Sequence, residues 1–363
     1  MSDELFIHRC LTLAEQGRGA VGTNPLVGAV LVREGKIIAE AFHEGFGKAH
    51  AERRLLENFD QKISSDDVLY VNLEPCCHQG KTPACTDIIR EKGIKHVVFG
   101  MVDPDSHVSG KGIACLLKAG IRVSGPVERA QCEWLNRGFV SLRTKGRPWV
   151  TIRSARTKDG AIARPDGSPL KITSEEQDRW THTWLRGRHD AILAGVQTII
   201  ADDPLLTARL RPSLPLGASD GQVRFGLELS SPLRVILDPH FRIPPASRVV
   251  NGTLSVGTMV IVGSGSDPAK LKVLRKRGVR VEEVPLRDGH FDLPSLWKAL
   301  TRPTIQSPAR PVAGSDGFGQ ATSSGDFHGI ASILIEGGAK TWQSFREAGV
   351  IDEEVVLAGQ EGR

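Results

Sequence analysis

HAE at 50–52 and LEPCCHQGKTPAC at 73–85 are the stretches on which the reading of this chain turns. A catalytic zinc usually takes three protein ligands and leaves its fourth position to water. His50, Cys76 and Cys85 suit that share, with Glu52 as the proton carrier beside them. Residues at i and i+2 of a regular helix point about 200° apart, so His50 and Glu52 can face one metal only from the first turn of a helix. The run HAERRLLENF predicts a helix starting there. VLYVNL (68–73) reads as a strand leading to Cys76, and Cys85 opens the helical stretch TDIIREKG. Both sulfurs then lie at strand-to-helix corners, where backbone N–H groups and the helix dipole favour thiolate. Taken singly, these cysteines read as small buried residues and His50 as a surface histidine. The combination is what carries the chemistry.

H-x-E followed by P-C-x-x-C is a zinc-deaminase signature, here with eight residues rather than two between the sulfurs. In this the chain resembles the deaminase half of the bifunctional riboflavin-biosynthesis deaminase/reductase family, whose long Cys-to-Cys loop reads much like PCCHQGKTPAC. The resemblance implies an α/β fold in two parts: a cytidine-deaminase-like three-layer domain over 1–146, then a dihydrofolate-reductase-like α/β domain over 147–363. It implies one zinc ion in the first domain and NADPH in the second. It also implies deaminase substrate contacts at Asn24 (in TNPLVGAV), His43, His78 and Lys81. On spacing alone Asn24 before Pro25 is equally a turn former, and Lys81 equally a solvated loop charge. DPDSHVSGKG (103–112) resembles the family's DPNPxVxGxG, but Asp105 replaces Asn and Ser106 replaces Pro. A carboxylate there would repel a phosphate unless it turns away.

The flanking pattern fits such a domain. Leu5–Gln16 has loose helical spacing, and LVGAVLV, REGK and IIAEAF read as a hairpin. HVVFGM, GKGIACLLKAG and IRVSG continue as strand, helix and strand, which argues for a sheet with helices on both faces. LNRGFVSLRTKGRP (135–148) looks like the joint.

Beyond it WVTIRSA reads as a strand, followed by RTKDG where the family has a pattern near A-x-S-L-D-G; Thr157 stands for Ser, Lys158 for Leu and Arg153 for an earlier Lys. Lys171 in KITS replaces the aromatic that could stack on a nicotinamide. Resemblance returns in LRGRHDAILAGVQTIIADDPLLTAR (185–209). This run implies substrate contacts at Arg186, Leu206 and Arg209 and cofactor contacts at Thr198 and Asp202. An arginine fork grips phosphate bidentately, although Arg209 could equally be a solvated loop residue. LRVILD and MVIVGS read as buried strands. ILIEGGAKTWQSF reads as strand, Gly-Gly corner and helix, a geometry suited to a phosphate. There the resemblance places Glu336 on the substrate and Gly338, Ala339, Lys340, Thr341, Trp342, Gln343 and Ser344 along the cofactor. No G-x-G-x-x-G follows a strand, so a Rossmann site is not indicated. Residues 301–329, rich in Gly, Ser and Pro, read as a low-complexity insertion, and the chain stops at VVLAGQEGR, short of the family's further strands.

With 40% hydrophobic and 25% charged residues, the 363-residue composition is that of a soluble globular protein. No run approaches the roughly 20 apolar residues of a membrane span, and the N-terminal MSDELFIHRC is no secretory signal. Six cysteines, three of them near the proposed metal, fit a reducing compartment, hence the cytoplasm. A net charge of +5 without a basic, aromatic groove argues against nucleic acid. The expected partners are a phosphorylated pyrimidine and further copies of the chain. The leading reading is therefore deamination of a phosphoribosylamino-pyrimidine followed by NADPH-dependent reduction of its ribosyl group to ribityl. Three alternatives stay open: a degenerate second domain, a cytidine- or tRNA-type deaminase, and a structural zinc module with Cys77 or His78 as fourth ligand.

Overall fold

Glu34 and Gly35 both adopt left-handed backbone, φ 48° and 73°, and this two-residue turn joins β1 (Gly28–Arg33) to β2 (Lys36–Phe42). Turns of that hand match the twist of a hairpin, and the two strands pair antiparallel. The computed structural model describes residues 2–78, 83–160, 172–208, 231–251, 257–304 and 327–359. The chain divides into two units, Met1–Arg147 and Pro148–Arg363.

In the first unit α1 (Asp3–Ala14) crosses β1 so closely that a Cβ on Gly28 would lie 2.1 Å from the Cys10 carbonyl oxygen. Only glycine fits that crossing. α2 (Ala51–Asn58), β3 (Val68–Leu73), α3 (Cys85–Glu91), β4 (His96–Met101), α4 (Lys111–Lys118) and β5 (Arg122–Ser124) follow. The sheet order is β2-β1-β3-β4-β5; β1 pairs antiparallel with β3, and β3, β4 and β5 run parallel. Parallel neighbours need crossover connections, which α3 and α4 supply. The central strands are buried Val and Leu runs, with Val30, Leu31, Leu69, Val71, Val97 and Val98 fully inaccessible.

The stretch read as the joint is helical as far as Lys145 and packs on this unit's core, and the boundary between the units falls at its end, between Arg147 and Pro148. α5 (Arg129–Leu135) runs directly into α6 (Arg137–Lys145), with Asn136 between them. Asn136 accepts from the Leu26 N–H (2.8 Å) and donates to its carbonyl (3.0 Å). Asn72 of β3 donates to the same carbonyl (3.0 Å) and accepts from the Gly28 N–H (2.8 Å). Two buried amides thus pin the segment just after Asn24-Pro25.

The second unit carries a seven-stranded sheet of order β10-β9-β8-β7-β13-β6-β14, parallel at every pairing. Its elements are β6 (Trp149–Arg156), α7 (Glu175–Trp180), β7 (Ala191–Gly195), α8 (Val196–Asp202), β8 (Leu233–Asp238), β9 (Thr258–Gly263), α9 (Pro268–Lys276) and β10 (Arg280–Val284). A short hairpin, β11 (Leu286–Arg287) and β12 (His290–Phe291), precedes α10 (Leu293–Thr301), β13 (Ser332–Glu336), α11 (Ala339–Glu347) and β14 (Glu353–Ala358). The chain leaves β6, passes the place that β13 later fills, and builds outward from β7 to β10. The carboxyl ends of β7 and β13 therefore sit side by side, and each feeds a helix directly.

Candidate active sites

His50 occupies the N-cap of α2 and Glu52 its first turn. Cys76 follows β3, and Cys85 is the first residue of α3. The fold closes these stretches on one point: His50 Nδ1 lies 3.5 Å from Cys76 Sγ and 3.4 Å from Cys85 Sγ, and the three donor atoms all fall within 4.8 Å of one another. No fourth His, Cys, Asp or Glu joins this cluster among the described residues, so neither Cys77 nor His78 saturates it. That is the pattern of a site with one position open.

The electrostatics match the geometry. The Cys76 thiol is drawn down to about 4 by hydrogen bonding from Cys85, with further help from His50 and the Cys85 backbone N–H at 3.3 Å. The same pairing with Cys76, and burial, push the Cys85 thiol up. The hydrogen bond to Cys76 raises His50. These groups compete for protons that a metal ion would displace. Burial raises the Glu52 carboxyl above its ordinary range. Its Oε2 is buried with no hydrogen-bond partner, an expensive state unless something at the site meets it. Two soft thiolates, an imidazole and an orphaned carboxylate oxygen fit a zinc ion that activates water.

His50, Glu52 and Cys76 open onto a cavity of about 290 Å³ that is also lined by Asn24, His43, Lys48, Glu74, His78, Asp103 and Arg143. Burial lowers His43, keeping it neutral at pH 7. Its Nδ1–H points at the Ala49 carbonyl (3.1 Å), which leaves Nε2 facing the Asn24 amide at 3.4 Å. Asn24, His43 and His78 are thus brought together around one cavity, while Lys81 lies outside the described residues. Arg143 and Asp103 are lining residues that sequence reasoning missed. Asp105 turns its carboxylate to its own loop: it accepts from the His107 N–H (2.9 Å) and lies 3.7 Å from Arg143.

In the second unit Glu336, the last residue of β13, grips Arg186 bidentately, both N···O distances being 2.7 Å. Arg186 also donates to the Thr207 carbonyl (2.7 Å) and lies 3.1 Å from His182 Nδ1. His182 sits in a π-helical turn, Thr181–Leu185, that continues α7; such turns carry one extra residue and gather at functional sites. Arg209 and Lys171 lie outside the described residues. Leu206 is left-handed, φ 49°, and packs in the core with Ile199 and Phe241.

Gly337 and Gly338 adopt φ 81° and 78° before α11. A Cβ on Gly337 would lie 3.0 Å from Thr198 Oγ1, and one on Gly195 2.7 Å from Thr341 Oγ1. The β7–α8 and β13–α11 corners therefore interlock, bringing Thr198 and Thr341 against the two glycine turns. Gly338, Ala339 and Lys340 are exposed at the helix start, a strip of backbone open to a phosphate. The indole Nε1 of Trp342 is buried without a partner. Gln343 instead donates to Glu347 along α11 (2.7 Å), Ser344 lies one residue further on, and Asp202 closes α8 on the surface. This cradle fits a phosphorylated dinucleotide.

Comparison with known proteins gives each unit a family. Residues 1–101 match the cytidine and deoxycytidylate deaminase zinc-binding region, and residues 148–307 match the RibD C-terminal domain. Fold and site thus define a zinc-dependent deaminase joined to a reductase. Among sequence relatives, the riboflavin biosynthesis protein RibD of Aquifex aeolicus is 35% identical over 98% of this chain and 86% of its own length. That of Escherichia coli is 31% identical over 98% and 87%. A solved structure from Thermotoga maritima, a diaminohydroxyphosphoribosylaminopyrimidine deaminase/5-amino-6-(5-phosphoribosylamino)uracil reductase, aligns with TM-score 0.71 at 33% identity, covering 98% of this chain and 85% of that one. RibD from Acinetobacter baumannii aligns with TM-score 0.72 at 28% identity, covering 99% and 88%. The chain belongs to the RibD family of bifunctional riboflavin-biosynthesis proteins.

Proposed function

We propose that the first unit hydrolytically deaminates 2,5-diamino-6-(5-phosphoribosylamino)pyrimidin-4-one, with His50, Cys76 and Cys85 holding zinc and Glu52 moving the proton. The observation that carries this reading is the buried, unpartnered Glu52 oxygen beside three donor atoms with one position open. Zinc, when bound, supplies the Lewis acidity that brings the ionisation of water toward neutral pH. Glu52 takes the proton from the attacking water and returns it to the exocyclic amine as the C–N bond breaks. Ammonia leaves and a ring carbonyl remains. The raised affinity of Glu52 for protons suits both halves of that transfer. Asn24, hydrogen-bonded toward neutral His43, offers an amide to the ring, and His78 lines the same cavity.

In the second unit the Gly337–Gly338 corner, with Thr198 and Thr341 against it, would hold the phosphates of NADPH. Arg186 and Glu336, with Arg209 and Leu206, would meet the substrate, and Asp202 would join Thr198 on the cofactor. NADPH supplies the hydride that, with one proton, takes ribosyl to ribityl. The fold contains no helix long and apolar enough to cross a membrane among its described residues. All six cysteines are free thiols, which supports a cytoplasmic, reducing location.

The test is ammonia release from the pyrimidine by zinc-loaded protein, followed by NADPH oxidation on addition of cofactor. Ammonia without any change in nicotinamide absorbance would leave the second unit a degenerate domain. Activity on free cytidine or tRNA but not on the pyrimidine would replace the substrate assignment.

A further inference from the structure

Glu74 stands in the LEPCC stretch yet takes no part in the donor cluster. It is only 4% exposed, and its carboxylate accepts four backbone N–H groups. Oε2 receives those of Asp103 (3.1 Å) and Gly110 (2.9 Å), and Oε1 those of Gly112 (2.8 Å) and Ile113 (3.2 Å). α4 has no side-chain cap of its own, its N-cap being a left-handed Gly110. Glu74 therefore caps it from the end of β3, across the site. A buried carboxylate is tolerated when its lone pairs are met, and the positive end of α4 adds to the match.

A second contact presses the same surfaces together. A Cβ on Gly112 would lie 1.9 Å from the Pro75 carbonyl oxygen and 3.1 Å from Glu74 Oε1, so the start of α4 rests directly on the peptide that precedes Cys76. Between these anchors the loop is closed by its own side chains: Asp103 accepts from the Asp105 N–H at 2.9 Å. Asp103 also lines the cavity that contains His50 and Glu52. Among the described residues no hydrogen bond joins Asp103 or Asp105 to His50, Glu52, Cys76 or Cys85. The wall is hung on Glu74, which lines the same cavity, and it meets the donor set only through the Glu74–Pro75 backbone that precedes Cys76.

We propose that Glu74 is a positioning residue that fixes the Asp103–Gly110 wall of the deaminase cavity, and through it the grip on the non-reacting part of the pyrimidine substrate. This rests on the deaminase reading given above. Glutamine at this position keeps the shape but offers one acceptor oxygen, and its NH2 group faces backbone N–H groups it cannot satisfy. Loosening a wall that contacts substrate equally in ground and transition states raises KM and spares kcat.

Glu74→Gln and, independently, Gly112→Ala are to be assayed by ammonia release from the pyrimidine, with zinc content and Tm measured on the same samples. The expected result is a KM raised about tenfold in each, the scale of one lost charge-assisted hydrogen bond, with kcat per bound zinc within about twofold of wild type. The double variant should fall short of the product of the two effects, because both act through one contact. An unchanged KM in both variants, whatever their Tm or zinc content, overturns the proposal, as does a fall in kcat per zinc at constant KM. Should Glu74→Gln fail to fold, Gly112→Ala decides alone. Wild-type protein that releases no ammonia would remove the deaminase reading itself, a separate outcome visible before either variant is made.

Discussion

Arg186 and Glu336, 150 positions apart, meet as a two-pronged ion pair with both N···O distances at 2.7 Å and side-chain exposures of 13% and 7%. Glu336 ends β13, and Arg186 lies in the short helical turn before β7, so the pair bridges two neighbouring strands of the second sheet. Burial on its own would raise the Glu336 carboxyl, but the charge and hydrogen bonds of Arg186 outweigh it and hold the group below its ordinary range.

That direction fixes a pH dependence. A carboxyl depressed in the folded state contributes stability above its unfolded value, about 4.3, and loses it as pH falls through the lower folded value. Glu336→Gln should therefore lose less stability than wild type between about pH 5 and 3, measured by denaturant unfolding. An identical acid profile would refute the linkage. Arg186→Ala, which strands a buried carboxylate, should cost about 3 to 5 kcal/mol at pH 7, and substitution of both partners by apolar residues should cost less.

Glu52→Gln should retain zinc and lose ammonia release by about 10²- to 10⁴-fold. Metal analysis and turnover on one sample check it. Near-normal turnover would remove Glu52 from the reaction, and loss of zinc would make it part of the metal site.

Gly337→Ala places a methyl group 3.0 Å from Thr198 at a φ of 81°. A non-glycine residue there costs about 1 to 2 kcal/mol in backbone strain, and the corner should open. NADPH affinity, followed by fluorescence titration, should weaken about tenfold or more while ammonia release is unchanged. Unaltered binding would move the cofactor away from this corner.

Asn136→Ala strips the Leu26 N–H of its acceptor in a buried setting. The expected loss is about 1 to 3 kcal/mol of stability, with a raised KM for the pyrimidine because Asn24 stands two residues away. Normal stability would mean that Asn72 holds the segment unaided.

The donor set was legible because its chemistry demands particular residue types: an imidazole, two sulfurs and a carboxylate at helix starts and strand ends. Hairpin, crossover helices and the glycine corner were legible for similarly local reasons. Long-range tethers were not. Nothing in LEPCC announces that Glu74 will cap a helix 36 to 39 residues later, or that Asn136 will hold Leu26 across 110 positions. Residues 135–148 read as a joint because Gly-Arg-Pro ends them, and the unit boundary does fall there, but buried Phe139 packs α6 on the first core. Asp105 looked repulsive in isolation, and only the fold shows Arg143 and the His107 N–H beside it. Arg186 was read as a phosphate fork, but its bidentate partner Glu336 is invisible to spacing.

The most direct test of the central claim is zinc stoichiometry read together with ammonia release in purified protein, before and after chelation and after metal is restored. The structure predicts one zinc per chain, loss of ammonia release on chelation and recovery with the ion, all absent when Cys85 is replaced by serine. Full deaminase activity in protein that contains no metal would contradict it.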